Sequence, residues 1–479
     1  MKKNKYKDII KNLLLFTLSK FIPKTISFFL VPFYTIYLST YEYGVLDIIN
    51  TTVSLAIPIL TLNIKDAVLR FALEKNSNKK SILNVPLVIV FIDFLILIFF
   101  TFIELRFKIF RIKTLYLLSF DAMLLVQSLY DNLTSFSKGI EKIRTIIFAS
   151  SANAIVTLLL NILLISVFNL NLKGYFIANT IGYVIAIIIY IICGGLFKYF
   201  SLNFDKKYFK DMIIYSFPMI FSALSWWINY SSDKYIVTFM IGIEASGIYA
   251  VASKLPSVLT TFQNIFMEAW SISAIKEFDK EDSDGFIGNM FTIVLFVLSI
   301  ICSILIILNI IISKILFNGS FFIAWEYVPP LLLSVLVDAL ALFIGNIFYA
   351  VKDTKARALV TIVAAIINTI LNVVLIYYFG AYGAAIATLI GYFSGFVFSA
   401  ILVKKYVKMK TDMKRNYFVL LLLLLQVIIS IKGNKYVLIQ ILILLLIMFL
   451  FIKDIKSIIN AIVNIFKTKI KKTSSNMSR

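Results

Sequence analysis

The chain has 479 residues, of which 61% are hydrophobic and only 15% charged. Water-soluble domains carry roughly 45–50% apolar and about 25% charged residues, and disordered chains are poorer still in apolar side chains, so neither class fits. Lysine and arginine number 47 against 25 acidic residues, a net charge of +22. In so apolar a chain that excess points to basic membrane loops rather than to nucleic acid.

The chain begins MKKNKYKDIIKNLLLFTLSK, basic and then apolar, and continues through Leu38 without a small-residue cleavage site. This predicts a retained first span. A bilayer core about 30 Å thick needs roughly 20 apolar residues of helix. Fourteen segments meet that need: 12–38, 45–64, 84–103, 115–131, 145–168, 174–197, 212–231, 235–260, 290–313, 329–350, 358–379, 383–403, 416–431 and 436–452. The fourth carries Asp121 and Gln127 and the thirteenth is short, which leaves open whether those two cross fully. Period-two alternation is missing over these lengths, so a transmembrane barrel is excluded and the fold expected is all-α and polytopic. With the loops numbered alternately, 35 basic residues fall on the side of the N-terminus and 9 on the other. That bias predicts cytoplasmic termini. The polar run 271–289 reads as a solvated cytoplasmic loop. The basic tail from Lys467 to Arg479 would be drawn to anionic lipid at about 1 kcal/mol per cation.

The sequence also repeats itself. Lys7-Asp8 and Gly44 recur as Lys210-Asp211 and Gly247. Leu160-Asn161 and Leu164-Ile165 recur as Leu371-Asn372 and Leu375-Ile376. Gly174, Ile177-Ala178 and Ile181-Gly182-Tyr183 recur as Gly383, Ile386-Ala387 and Ile390-Gly391-Tyr392. Six spans per copy is an even number, so both copies share one topology and are related by an axis along the membrane normal. The expected division is an N-lobe at 1–200, a C-lobe at 201–408, two extra helices at 409–453 and a tail at 454–479.

Enzyme chemistry finds little to work with. There is no histidine, and Cys193 and Cys302 are far apart within apolar runs. No nucleotide-binding glycine loop, nucleophile elbow or zinc-binding helix is present. The expectation is a non-enzyme without a resident cofactor or metal, with a proton or Na+ as the one coupling species to consider.

Two stretches carry a family resemblance. One is Pro32-Phe33-Tyr34-Thr35-Ile36-Tyr37-Leu38 with Glu42-Tyr43-Gly44, answered by Asp233-Lys234-Tyr235, Gly242, Gly247-Ile248-Tyr249 and Ala252-Ser253-Lys254-Leu255. The other is Ala350-Val351-Lys352-Asp353-Thr354-Lys355, Asn368, Leu371-Asn372 and Tyr382-Gly383-Ala384-Ala385-Ile386-Ala387-Thr388. They resemble the polysaccharide-transporter branch of the multidrug/oligosaccharidyl-lipid/polysaccharide exporter superfamily. That resemblance implies a flippase in the bacterial cytoplasmic membrane. Its cargo would be an undecaprenyl-pyrophosphate-linked oligosaccharide, an O-antigen or capsular repeat unit, moved outward by alternating access through a central cationic cavity. It further implies a monomer in the lipid bilayer that works beside a glycan polymerase and glycosyltransferases, with no nucleic acid.

Ionisable groups inside spans are costly and mark functional candidates. Lys20 and Lys24 share a face of the first span, beside Pro23 and Pro32. Lys65 and Arg70 lie at the inner end of the second, and Lys254 in the eighth. All five are candidates to bind the anionic substrate. Lipid II flippases resembling this chain also place basic residues on spans one, two and eight, which favours Lys24 and Lys254. Trp226-Trp227 offers aromatic faces for sugar rings, and Trp227 joins the candidate set. Asp93 and Asp338 are candidates for ion coupling or for pairing between lobes. Two other transport readings stay open: an ion-coupled multidrug exporter of the same superfamily, and a flippase for lipid II or teichoic-acid-type glycans. A membrane glycosyltransferase or polymerase is disfavoured, since the longest inter-span loop is about thirty residues.

Overall fold

The computed structural model describes residues 21, 23–74, 76–109, 112–201 and 204–452. Lys20, the N-terminal run and the basic tail lie outside the described residues. What is described is helical, with no strand among the described residues. The helices are α1 (23–37), α2 (Thr40–Leu60), α3 (Ile64–Ala72), α4 (Lys79–Phe107), α5 (Thr114–Gly139), α6 (Ile143–Asn161) and α7 (Asn171–Ile191). They continue as α8 (Lys206–Met240), α9 (Ile243–Ala252), α10 (Lys254–Lys276), α11 (Phe286–Leu316), α12 (Val328–Ala350), α13 (Thr354–Phe379), α14 (Ala381–Val403), α15 (Met413–Ser430) and α16 (Val437–Leu450). The chain is a multi-pass membrane protein.

Ten helices among the described residues are long and apolar enough to cross a membrane, α15 included. The remaining expected spans differ for separate reasons. The first begins outside the described residues. α5 is long but carries Asp121, Gln127 and Asp131. α16 has only 14 residues. The expected eighth span, 235–260, is not one helix. α8 runs on to Met240, the chain turns at Gly242 with φ +131, and α9 and α10 follow with a second break at Ser253. The second expected span is α2, and the chain turns where it ends. Leu62 and Asn63 adopt φ +52 and +50 between α2 and α3, so Lys65 and Arg70 sit on a separate short helix.

Local sequence explains the starts. Ser39 and Glu42 form a capping box, each side chain bonding the other's backbone N–H, at the head of α2. Asp205, Asp353 and Asp412 accept from the first-turn amides of α8, α13 and α15.

Two compact units emerge: Met1–Val251 with Leu316–Phe322, and Ala252–Ile315 with Ile323–Arg479. The packing division thus falls after Val251, and α8 and α9, which open the second repeat, pack in the first unit. That unit's core joins Ile64, Val68, Ile82, Leu83, Leu133 and Phe136 from α3, α4 and α5. The segment Leu316–Phe322 joins it through Thr35, whose Oγ1 donates to the Leu316 carbonyl at 2.8 Å, and through edge-to-face packing of Phe321 on Tyr43.

The repeat reappears as shared packing. In the first copy Asn161 donates to the Thr157 carbonyl at 2.7 Å; in the second Asn372 donates to that of Asn368 at 3.0 Å. Gly182 lies against Thr157, as Gly391 lies against Asn368. In the second unit the polar run expected to be solvated is partly internal. Asp282 is fully buried, accepting from the amides of Ile287 and Gly288 at the head of α11 and from Lys410 before α15, each at 2.9 Å.

Candidate substrate-binding residues

In the first unit, Lys24 is exposed on α1. Lys65 on α3 lies 3.7 Å from Asp131 on α5, both partly exposed. Arg70 pairs with Glu74 one turn on, at 3.1 Å and well exposed. An exposed i, i+4 pair of this kind contributes a few tenths of a kcal/mol, so Glu74 holds Arg70 only weakly. Asp93 on α4 is 1% exposed, and its Oδ2 has no hydrogen-bond partner among the described residues.

The tandem tryptophans part company. Trp227 is 9% exposed, and its indole N–H donates to the Thr51 carbonyl on α2 at 3.0 Å. Trp226, one residue and roughly 100° of helix away, is 60% exposed. Its ring stacks on Tyr230, centroids 5.0 Å apart.

In the second unit, Lys254 is half-buried as the first residue of α10. Asp338 on α12 accepts from the Gln263 amide of α10 at 2.8 Å. Two turns below Gln263, Trp270 stacks on Phe343 of α12 with centroids 4.0 Å apart.

Sequence reasoning passed over a charged cluster in the first unit. Lys234 on α8 reaches Asp47 on α2, its Nζ 3.0 Å from Oδ1 and 2.9 Å from Oδ2, with side chains only 19% and 9% exposed. Adjacent Asp233 accepts from the Tyr249 hydroxyl of α9 at 2.6 Å, and Tyr235 shares a hydrogen bond with Thr52 at 2.5 Å. The available signal was the Asp233-Lys234-Tyr235 run; its partner, a lone aspartate near the head of a span, carried none.

Comparisons with known proteins place the chain in a family and a fold. The model of the polysaccharide biosynthesis protein family matches residues 9–272. The chain belongs to that family. No curated protein matches it in sequence. Among solved structures it is similar to the lipid II flippase MurJ in an inward closed conformation, at 18% identity and a TM-score of 0.68, covering 91% of this chain and 98% of that one. It is also similar to an inward-facing multidrug resistance MATE family transporter of the MOP superfamily, at 12% identity and TM-score 0.61, covering 81% and 98%. A MOP superfamily transporter from Pyrococcus furiosus aligns at 12% identity and TM-score 0.52, covering 83% and 96%. The fold is the MurJ/MATE-like transporter fold.

Proposed function

We propose that this protein is a flippase for lipid-linked oligosaccharide, carrying an undecaprenyl-pyrophosphate-bound glycan repeat unit from the cytoplasmic to the outer leaflet by alternating access. The observation that supports the reading most is the meeting of two facts on one chain. It belongs to a polysaccharide biosynthesis family, and its fold is shared, over 91% of its length, with a lipid II flippase.

The cargo has an anionic pyrophosphate, so its carrier needs positive charge reached from water inside a membrane body. Lys24 and Lys254 are the residues we assign to the pyrophosphate, with Lys20 and Arg70 assisting at entry and Lys65 a further substrate-binding cation. Both termini lie in the cytoplasm on this reading. A proton or Na+ gradient, acting at Asp93 or Asp338, would supply the drive.

The test is reconstitution. Full-length protein in liposomes, loaded with undecaprenyl-pyrophosphate trisaccharide in one leaflet, should expose the sugar to an external glycosidase; Lys24→Ala and Lys254→Ala should not. The MATE likeness supports a second reading, a multidrug exporter. Efflux of a cationic dye with no movement of the glycan would establish that reading and remove ours.

A further inference from the structure

Helix α8 is apolar enough to cross a membrane, yet one of its faces is unlike a lipid-facing surface. Ser222, Ser225, Trp226, Asn229 and Tyr230 recur at intervals of three and four residues, which places them on one side of the helix. The other side buries Ile220 and Trp227 and reaches α2 through Trp227 and Lys234. On the polar side Ser222, Ser225 and Trp226 are exposed, and the Trp226 and Tyr230 rings stack with their planes 28° apart. A row of hydroxyl and amide groups, Ser225 and Asn229 among them donating to carbonyls one turn back at 2.8 Å, is better solvated by water than by acyl chains, so a face of this composition belongs beside water.

A hydrated aromatic pair rimmed by short polar side chains suits one ligand chemistry in particular. The C–H face of a pyranose ring packs on the π face of an indole or phenol, while its hydroxyls exchange hydrogen bonds with the rim. The face has no lysine or arginine, so it suits a neutral sugar and not the pyrophosphate.

We infer that this face of α8 receives the sugar head of the cargo, one ring stacked on the Trp226–Tyr230 pair and its hydroxyls turned to Ser222 and Asn229. The inference rests on the flippase reading and names the part of the cargo that α8 recognises. It also separates the two tryptophans: Trp226 meets the ligand, whereas Trp227 anchors the helix that presents it.

The experiment uses the full chain in lipid nanodiscs and two probes, undecaprenyl pyrophosphate bearing a hexose trisaccharide and bare undecaprenyl pyrophosphate. The wild type should bind the glycosylated lipid more tightly. Trp226→Leu should lower that preference by about fivefold, the ratio a ring-stacking contact supplies, with affinity for the bare lipid unchanged. Trp226→Phe should restore part of it. Equal affinity of the wild type for both lipids, or an unchanged preference in Trp226→Leu, overturns the inference and leaves the flippase reading standing. Binding of neither lipid removes both. A second measurement does not depend on the leucine variant folding. Ser222→Cys, in a chain whose exposed Cys193 is replaced by Ser, should react with a membrane-impermeant maleimide. No reaction from either side of the membrane would put the face in lipid and overturn the inference.

Discussion

Gly44 and Gly247, which the sequence repeat places at equivalent positions, lie against each other. A methyl group on Gly247 would stand 2.8 Å from the Gly44 amide nitrogen and 2.2 Å from the Thr40 carbonyl oxygen. One on Gly44 would stand 2.0 Å from the carbonyl of Ile243. The same offset relates Thr40 to Ile243 and Gly44 to Gly247, so each glycine abuts the residue four positions before its counterpart. The heads of α2 and α9 therefore cross reciprocally, backbone on backbone, and the duplication is visible as a contact.

That crossing has no room for a side chain. Gly44→Ala and Gly247→Ala should each lower stability by roughly 1–3 kcal/mol, the usual cost of forcing a methyl group into a packed contact. Thermal unfolding of the purified protein in detergent checks it.

The neighbouring Asp47–Lys234 pair should be expensive to halve. Removing one partner of a buried ion pair leaves the other charge uncompensated, at a cost on the order of 3 kcal/mol. Asp47→Ala and Lys234→Met should each destabilise strongly, while the double variant should lose less than the two single losses combined. A double-mutant cycle on thermal midpoints measures the difference.

Trp227→Phe should behave unlike any change at Trp226. It gives up the bond to Thr51, about 1 kcal/mol, and should shift the unfolding midpoint without altering the ratio of affinities for glycosylated and bare lipid. An altered ratio would mean that the buried tryptophan also meets cargo.

Acid should loosen the second unit at its polar ends. Hydrogen bonds from the Ser283 backbone and hydroxyl, then from the Glu281 amide, hold Asp279 below the usual carboxylate range. A hydrogen bond from the Tyr406 hydroxyl, then one from the Ala356 amide, does the same for Asp353. A carboxyl group with its folded pKa depressed contributes stability above its unfolded pKa, about 3.9, and loses it as pH falls through the lower folded value. Protection of the Ser283 and Ala356 amides, measured as exchange relative to the intrinsic rate at each pH, should therefore fall below about pH 4 and stay constant between pH 5 and 8. Asp353→Asn should remove the acid step at Ala356 alone.

Most helices could be read from the sequence because the length and apolarity of a run are local sums: α4, α7 and α11 to α14 fall where counting puts them. The failures share one cause. The expected span 235–260 crosses a turn at Gly242 whose shape answers to the approach of α9 to α2, and no count along the chain registers that contact. Lys65 was legible as a cation, but its partner Asp131 is 66 residues away on another helix. Asp282 read as loop because nothing nearby in sequence announces that the Lys410 backbone will reach it.

By itself, the sequence determined the class of molecule: an all-helical membrane protein, internally duplicated and basic. Those properties are sums over composition and spacing, and they survive any arrangement of the helices. Tertiary structure alone decided which way each side chain faces. Trp226 and Trp227 are interchangeable to a hydropathy count, yet a single step around α8 buries one against α2 and leaves the other open. The direction of burial is a property of two helices together, so one helix read alone cannot contain it.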